Sequence, residues 1–469
     1  MSQRHSKDPQ VERSLRHSVK DGVAYSVMSG SGESYFAAFS LYFKATTPQI
    51  GLLASLPPLL GSLAQLVSAW AGRHTARRKP VILVGATLQG VMLLPLVILP
   101  SLFPDQAVTI ILGCAVFYFA GANLAAPQWS SLMGDLVPER RRGRYFAYRT
   151  RLCSMTAFLA LLGAGITLHV FDVAGLTLVG YLVILLVAAL ARFVSVYHLN
   201  AMHDPPGHVA SLEWPFGVGF WTRVKGSAAI RFTLYFAAMQ FAVAIASPFF
   251  IVYMLRDLQF SYVAYSVNIA VSVLVQFLTL NRWGRISDIF GNRISLLATG
   301  AVIPVLPLLW LVSTNYAYLL VLQALSGLAW AGFSLSAGNY LYDLVPSNKR
   351  VTYIALHNVT AAMAVFLGAL LGGYLGTHLP SSLDVLDQHF EWLSPLYGVF
   401  VVSTLARASV AGLFLRKLRE VRQVRSTTMG GLIFRVARLH PLSWMTFDVV
   451  GARRRLAPRR GPPPAGRDN

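Results

Sequence analysis

Apolar residues run along this chain in long, nearly unbroken stretches, and the polar and charged residues collect in short clusters between them. Windows of about 20 apolar residues, enough for a helix to cross ~30 Å of hydrocarbon, mark out membrane spans. Twelve are predicted. Their approximate limits are 22–43, 49–71, 80–101, 107–132, 152–171 and 176–199 in the first half. In the second half they are 228–254, 262–281, 294–313, 316–341, 353–377 and 394–415. A backbone amide in lipid needs a partner within its own segment or barrel, and barrel strands would be half as long and alternating. The spans are therefore helices.

Composition sharpens this picture. The chain of 469 residues is 55% hydrophobic and 13% charged, with a mean hydropathy of +0.54. Soluble domains carry about 25% charged residues, so a water-soluble enzyme is excluded. The net charge of +21 does not point to nucleic acid, because the basic residues lie between apolar runs rather than on one soluble face. With the N-terminus placed in the cytoplasm, the outer loops hold only Lys44 and Arg256 among the basic residues. They also carry Asp105, Asp172, Asp257, Asp384, Asp387 and Glu391. That is a positive-inside pattern, and it predicts both termini in the cytoplasm. The expected location is the bacterial inner (plasma) membrane. Cys114 and Cys153 read as small buried hydrophobes. The first 20 residues are too polar for a signal-peptide core, so the first span is expected to stay uncleaved.

The expected domains are a cytoplasmic arm 1–21, a six-helix bundle 22–199, a cytoplasmic connector 200–227, a second six-helix bundle 228–415 and a basic cytoplasmic tail 416–469. In the tail, Leu432, Ile433, Phe434, Leu439 and Trp444 alternate with Arg435 and Arg438, a pattern that can lie on an anionic leaflet. The halves echo one another. Asp135-Leu136-Val137-Pro138 recurs as Asp343-Leu344-Val345-Pro346, and Leu190-Ala191-Arg192 recurs as Leu405-Ala406-Arg407. Ordered matches at similar offsets argue for duplication of a six-span unit, with a cavity between the copies.

Between spans 8 and 9 stands Gly284-Arg285-Ile286-Ser287-Asp288-Ile289-Phe290-Gly291-Asn292-Arg293. On this motif the chain resembles the major facilitator superfamily across about residues 22–415. The counterpart between spans 2 and 3, Gly72-Arg73-His74-Thr75-Ala76-Arg77-Arg78-Lys79, keeps the basic residues but has Gly72 where the family has Asp. The resemblance implies two pseudo-symmetric six-helix bundles, with spans 1, 4, 7 and 10 lining a central cavity.

Among the carboxylates, Glu33 reads as the one deep inside a span. An ionisable group at mid-bilayer costs roughly +2.5–3.5 kcal/mol on insertion scales, so it is a candidate proton-coupling or substrate-contacting acid. Ser26, Ser29, Glu33 and Ser40 share a helical face. Further candidates for the cavity lining are Tyr118 and Asn123 in span 4, Gln240 in span 7, and Gln323 and Trp330 in span 10. Candidates for an inside gate are Asp135, Asp288, Arg285, Arg293 and Asp343, beside Arg140, Arg141 and Lys349. In one access state these charges would pair across the halves.

Gly368, Gly372 and Gly376 read as a close-packing stripe within a monomer. No phosphate loop, nucleophile–base pair or metal cluster is legible, so no cofactor and no enzymatic activity are expected. The function expected is secondary active transport of a small solute by alternating access, with protons as the candidate coupling ion and membrane lipids as surroundings. The alternative is a non-transporting scaffold or receptor with the same fold.

Overall fold

The structure is a computed structural model and describes residues 8–75, 77–138, 142–205, 227–345, 350–380, 382–385, 388–391, 394–414 and 420. Arg140, Arg141, Lys349, most of the connector and the amphipathic stretch of the tail lie outside the described residues.

The apolar runs fold as helices. In chain order they are α1 (Pro9–Ser31), α2 (Phe36–Tyr42), α3 (Thr47–Thr75), α4 (Lys79–Leu102), α5 (Ala107–Leu136), α6 (Arg142–Val173) and α7 (Thr177–Asn200). After the connector come α8 (Ala228–Ala244), α9 (Tyr262–Phe290), α10 (Asn292–Val302), α11 (Tyr316–Leu344), α12 (Arg350–His378) and α13 (Leu396–Phe414). A two-stranded antiparallel hairpin, Ser382–Val385 with Gln388–Glu391, links α12 to α13. Helix starts follow ordinary capping. The Asn315 side chain accepts from the backbone N–H groups of Ala317 and Tyr318, and the Ser261 hydroxyl accepts from that of Ala264.

Among the described residues, ten helices are long and apolar enough to cross a membrane. The molecule is a multi-pass, all-α integral membrane protein. The stretches α1–α2 and α3, where the sequence predicts the first two spans, stand outside those ten. The reason is visible in α1. It begins at Pro9 rather than near residue 22, carries Glu12, Arg13, Arg16, Lys20 and Asp21 through its first turns, and stops at Gly32.

Helices α1 and α3–α7 pack on one another, and α8–α13 do the same. The two sets meet where α3 lies against α12 and α6 against α9. The glycine stripe of α12 packs within the chain: a Cβ at Gly368 would press on the Phe241 carbonyl, and one at Gly372 on that of Ile245. Side chains such as Val84, Ile98, Leu159, Val170, Val321 and Leu405 stay exposed around the outside. On a protein in water they would be a liability, and against acyl chains they are at home. The end of the helices near Arg78, Asp135 and Gly291 is called the charged end below, and the opposite end the far end.

Candidate functional site

Glu33 sits at a break. The Gly32 N–H closes α1 on the Met28 carbonyl, and Glu33–Tyr35 form a 3₁₀ turn before α2 resumes. A carboxylate at such a break reaches inward from where the helix ladder is interrupted. There the fully buried Tyr118 hydroxyl of α5 donates to Glu33 Oε2 at 2.9 Å. The Ser29 hydroxyl, one turn back on α1, hydrogen-bonds the same carboxyl group. Phe36 meets the Tyr118 ring edge-on at 5.3 Å and fixes its direction. The structure thus brings together Ser29, Glu33 and Tyr118.

The other expected lining residues do not join that group by any hydrogen bond among the described residues. Asn123 accepts from Gln65 Nε2 at 2.7 Å and donates to its own helix at the Phe119 carbonyl, which ties α5 to α3. Gln323 donates to Asn268 Oδ1 at 2.8 Å and ties α11 to α9. Trp330 lies edge-on to Phe333, and Gln240 Oε1 is buried without a partner.

A second polar cluster lies deeper toward the charged end. Asp21, read from sequence as part of an arm, is buried in α1 at 4% exposure. Its Oδ1 accepts from the Ser195 hydroxyl at 2.6 Å, and Ser195 Oγ in turn accepts from Arg192 at 2.7 Å. Arg149 reaches Asp21 Oδ2 at 3.4 Å and lies over the Trp129 ring at 4.4 Å. Asp21, Trp129, Arg149 and Arg192, with Tyr25 and Gln89, border a cavity of about 200 Å³ between α1, α4, α5, α6 and α7. The repeat had marked Arg192. Gln89 carried a signal too, as a lone amide in an apolar run, whereas Asp21 was hidden by its charged neighbours in sequence.

At the charged end Asp135 and Asp343 pair inside their own helix sets. Arg78, 1% exposed, salt-bridges Asp135 and Asp204, and Asp204 also accepts from the backbone N–H groups of Arg78 and Lys79 at the start of α4. One repeat later, Glu420 accepts from the backbone N–H of Arg293 at the start of α10, and Asn292 donates to Asp343. Both carboxylates thus meet the positive end of a helix. Arg285 and Asp288 are exposed on α9. Sequence reasoning missed Asp204 and Glu420, which belong to a connector and a tail and carry no motif. Among the described residues no group of three or more His, Cys, Asp or Glu side chains is placed to hold a metal ion.

The model of the family described as the Major Facilitator Superfamily matches residues 232–456. Over that stretch, just under half of the chain, the protein matches the major facilitator superfamily. Several transport proteins resemble it locally in sequence. An MFS-type transporter, ppz2, of Metarhizium majus is 30% identical over 111 residues, 24% of this chain and 18% of that protein. The efflux pump dotC of Dothistroma septosporum is 31% identical over 91 residues, 19% of this chain and 16% of that one. The vacuolar membrane amino acid uptake transporter fnx2 of Schizosaccharomyces pombe is 28% identical over 106 residues, 23% of this chain and 18% of its own length. The chain therefore spans less than a fifth of the length of these curated relatives.

Likeness in fold extends further. A bacterial homologue of the iron transporter ferroportin, solved in an inward-facing state, superposes with a TM-score of 0.65 at 14% identity. That match covers 86% of this chain and 98% of that one. The nucleoside transporter NupG gives 0.61 at 14% identity, over 87% of this chain and 100% of its own. At identities this low the likeness is one of fold.

Proposed function

We propose that this chain is a secondary transporter whose twelve membrane helices form two six-helix halves that rock about a central site, with both termini in the cytoplasm. The observation that carries the reading is the unequal joining of the two helix sets along their length. Toward the far end they are tied by hydrogen bonds: the Tyr35 hydroxyl shares one with Ser266 Oγ at 2.6 Å, and Arg256 donates to Thr47 Oγ1. Toward the charged end, Asp135 is salt-bridged to Arg78 and Asp343 accepts from Asn292, each inside its own set. A molecule fastened at one end and divided at the other suits one limit of an alternating-access cycle, with the far side shut. In the opposite state the exposed Arg285 and Asp288 would bridge the halves, with Arg293 exchanging its present contacts to join them.

Glu33 supplies the coupling. Its carboxyl, held by Tyr118 and Ser29 at a helix break, can exchange a proton for a solute contact as the halves move. The solute is small, and export is the favoured direction. Gln240, Gln323, Trp330 and Asn123 are proposed as residues that border its route and set its fit. The protein works as a monomer.

The test begins with a thermal-shift screen of the purified protein against metabolites and drugs, followed by flux of the stabilising compound in proteoliposomes with and without a pH gradient. Uphill movement is expected in the natural protein and is expected to disappear in Glu33→Gln, leaving downhill exchange. Full uphill activity with an unchanged pH profile in that variant would remove Glu33 from the mechanism. No flux for any stabilising compound would favour the scaffold alternative.

A further inference from the structure

The duplicated arginines have come to differ. In the second half, every guanidinium nitrogen of Arg407 has an acceptor: Nε donates to Ser403 Oγ at 3.0 Å, one terminal nitrogen to the Ile303 carbonyl at 3.3 Å and the other to the Val243 carbonyl at 3.2 Å. Arg192, its repeat mate, is equally buried at 4% exposure, but it borders the cavity described above. It reaches Asp21 only through the Ser195 hydroxyl, and its Nε has no acceptor. Arg149 already takes the other oxygen of that carboxylate. Two guanidinium groups thus share one carboxylate beside the cavity, and apart from it the Arg192 charge is met only by the face of the Tyr25 ring at 5.2 Å. Burying a charge without a counter-charge is expensive.

The remaining wall of the cavity is equally unfinished. Gln89 is fully buried on α4, and neither its amide oxygen nor its amide nitrogen has a partner. The indole N–H of Trp129 is buried without an acceptor as well. The cavity therefore offers N–H donors from Arg192, Gln89 and Trp129, one acceptor from Gln89, and a net positive charge. Its other surfaces are apolar or flat: Ile82, Ala125, Leu199 and the rings of Tyr25 and Trp129. At about 200 Å³ it falls below the ~300–1,000 Å³ typical of drug-sized pockets, so it suits a ligand on the order of ten non-hydrogen atoms.

We propose that this cavity, inside the first helix set, is a binding site for a small hydroxy- or amino-substituted organic carboxylate with a flat apolar body. The carboxylate lies against Arg192 Nε and the Gln89 amide N–H, as guanidinium recognition of carboxylates favours. The neighbouring hydroxyl or amine donates to Gln89 Oε1, and the apolar body rests between the rings of Tyr25 and Trp129. The site is walled by helices of one set only, and it stands whether or not the same acid is the transported solute.

The test uses mandelate as probe, with phenylacetate, which lacks only the hydroxyl, and mandelamide, which lacks the charge. Binding to the purified full-length protein in detergent is measured by equilibrium dialysis and by thermal shift. Saturable mandelate binding in the millimolar range or tighter is expected, with both analogues weaker by about tenfold or more, because each leaves buried polar groups unpaired. Gln89→Leu is expected to abolish mandelate binding while raising the melting temperature of the ligand-free protein. Arg192→Lys, which keeps charge but loses the fork, is expected to weaken binding by about tenfold or more. Arg407→Lys leaves binding unchanged. Absence of saturable mandelate binding, equal affinity for phenylacetate, or undiminished affinity in Gln89→Leu and Arg192→Lys would overturn the proposal and leave a cavity filled by solvent.

Discussion

Gly291 shows how much a single residue can decide. It ends α9 and begins α10 with φ 89° and ψ 160°, a backbone conformation that belongs almost wholly to glycine. A Cβ there would also collide with the Glu420 carboxylate, which holds the start of α10. The family motif thus has a physical basis, since its second glycine allows the chain to turn from one helix into the next within one residue. Gly291→Ala is expected to lower stability by about 1–3 kcal/mol from backbone strain alone, read as a lower melting temperature of the purified protein. The neighbouring Gly284 meets only the end of Leu335 at 3.8 Å. Gly284→Ala is therefore expected to leave the melting temperature near its starting value. Legibility at this scale was uneven. Glu33 announced itself as a carboxylate in an apolar run, but the break at Gly32 that lets it reach Tyr118 has no sequence signal beyond one glycine among many. Asp21 was concealed for the opposite reason: it follows Lys20 among polar residues, and only packing against α6 and α7 removes it from water.

At the scale of elements, two helix starts are held by carboxylates borrowed from distant parts of the chain. Asp204 follows α7 and caps α4, and Glu420 follows α13 and caps α10, one repeat apart. Apolar runs made the helices legible because lipid imposes a length and forbids exposed backbone. The caps were not legible, since pairing over more than a hundred residues leaves no local pattern. Their energetic weight differs from that of the motif charges. Arg78 contacts both Asp135 and Asp204, but the Asp135 side chain is 56% exposed and the Asp204 side chain 10%. An exposed pair contributes about 0–1 kcal/mol, whereas uncoupling a buried pair costs about 3–5 kcal/mol. Asp204→Asn is therefore expected to destabilise by at least about 2 kcal/mol, since it keeps an acceptor for one backbone amide, and Asp135→Asn by less than about 1 kcal/mol. Thermal melts of the two variants in the same detergent check the order, and equal melts would contradict it.

For the whole molecule, the decisive geometry is the tie at the far end. A Cβ on Gly376 of α12 would stand 3.7 Å from the Thr47 Cβ at the start of α3 and closer still to its Cγ2. Disulfides form with Cβ atoms about 3.5–4.5 Å apart, and in Thr47→Cys the thiol sulfur replaces one of the Thr47 side-chain branches. The pair Thr47→Cys with Gly376→Cys, in a chain whose Cys114 and Cys153 are first changed to serine, is therefore expected to oxidise readily and staple the two helix sets together at that end. If the sets rock, the oxidised protein should lose flux of its solute, and a reductant should restore it. Ligand binding at the Arg192 cavity, which is walled by one set, should survive the staple. A cross-link that forms fully and leaves flux untouched would mean that α3 and α12 never part at the far end, and transport would then need a route that does not open there. A pair that fails to oxidise would mean that the two helices spend little time in contact, which would remove the far-side closure on which the alternating-access reading rests.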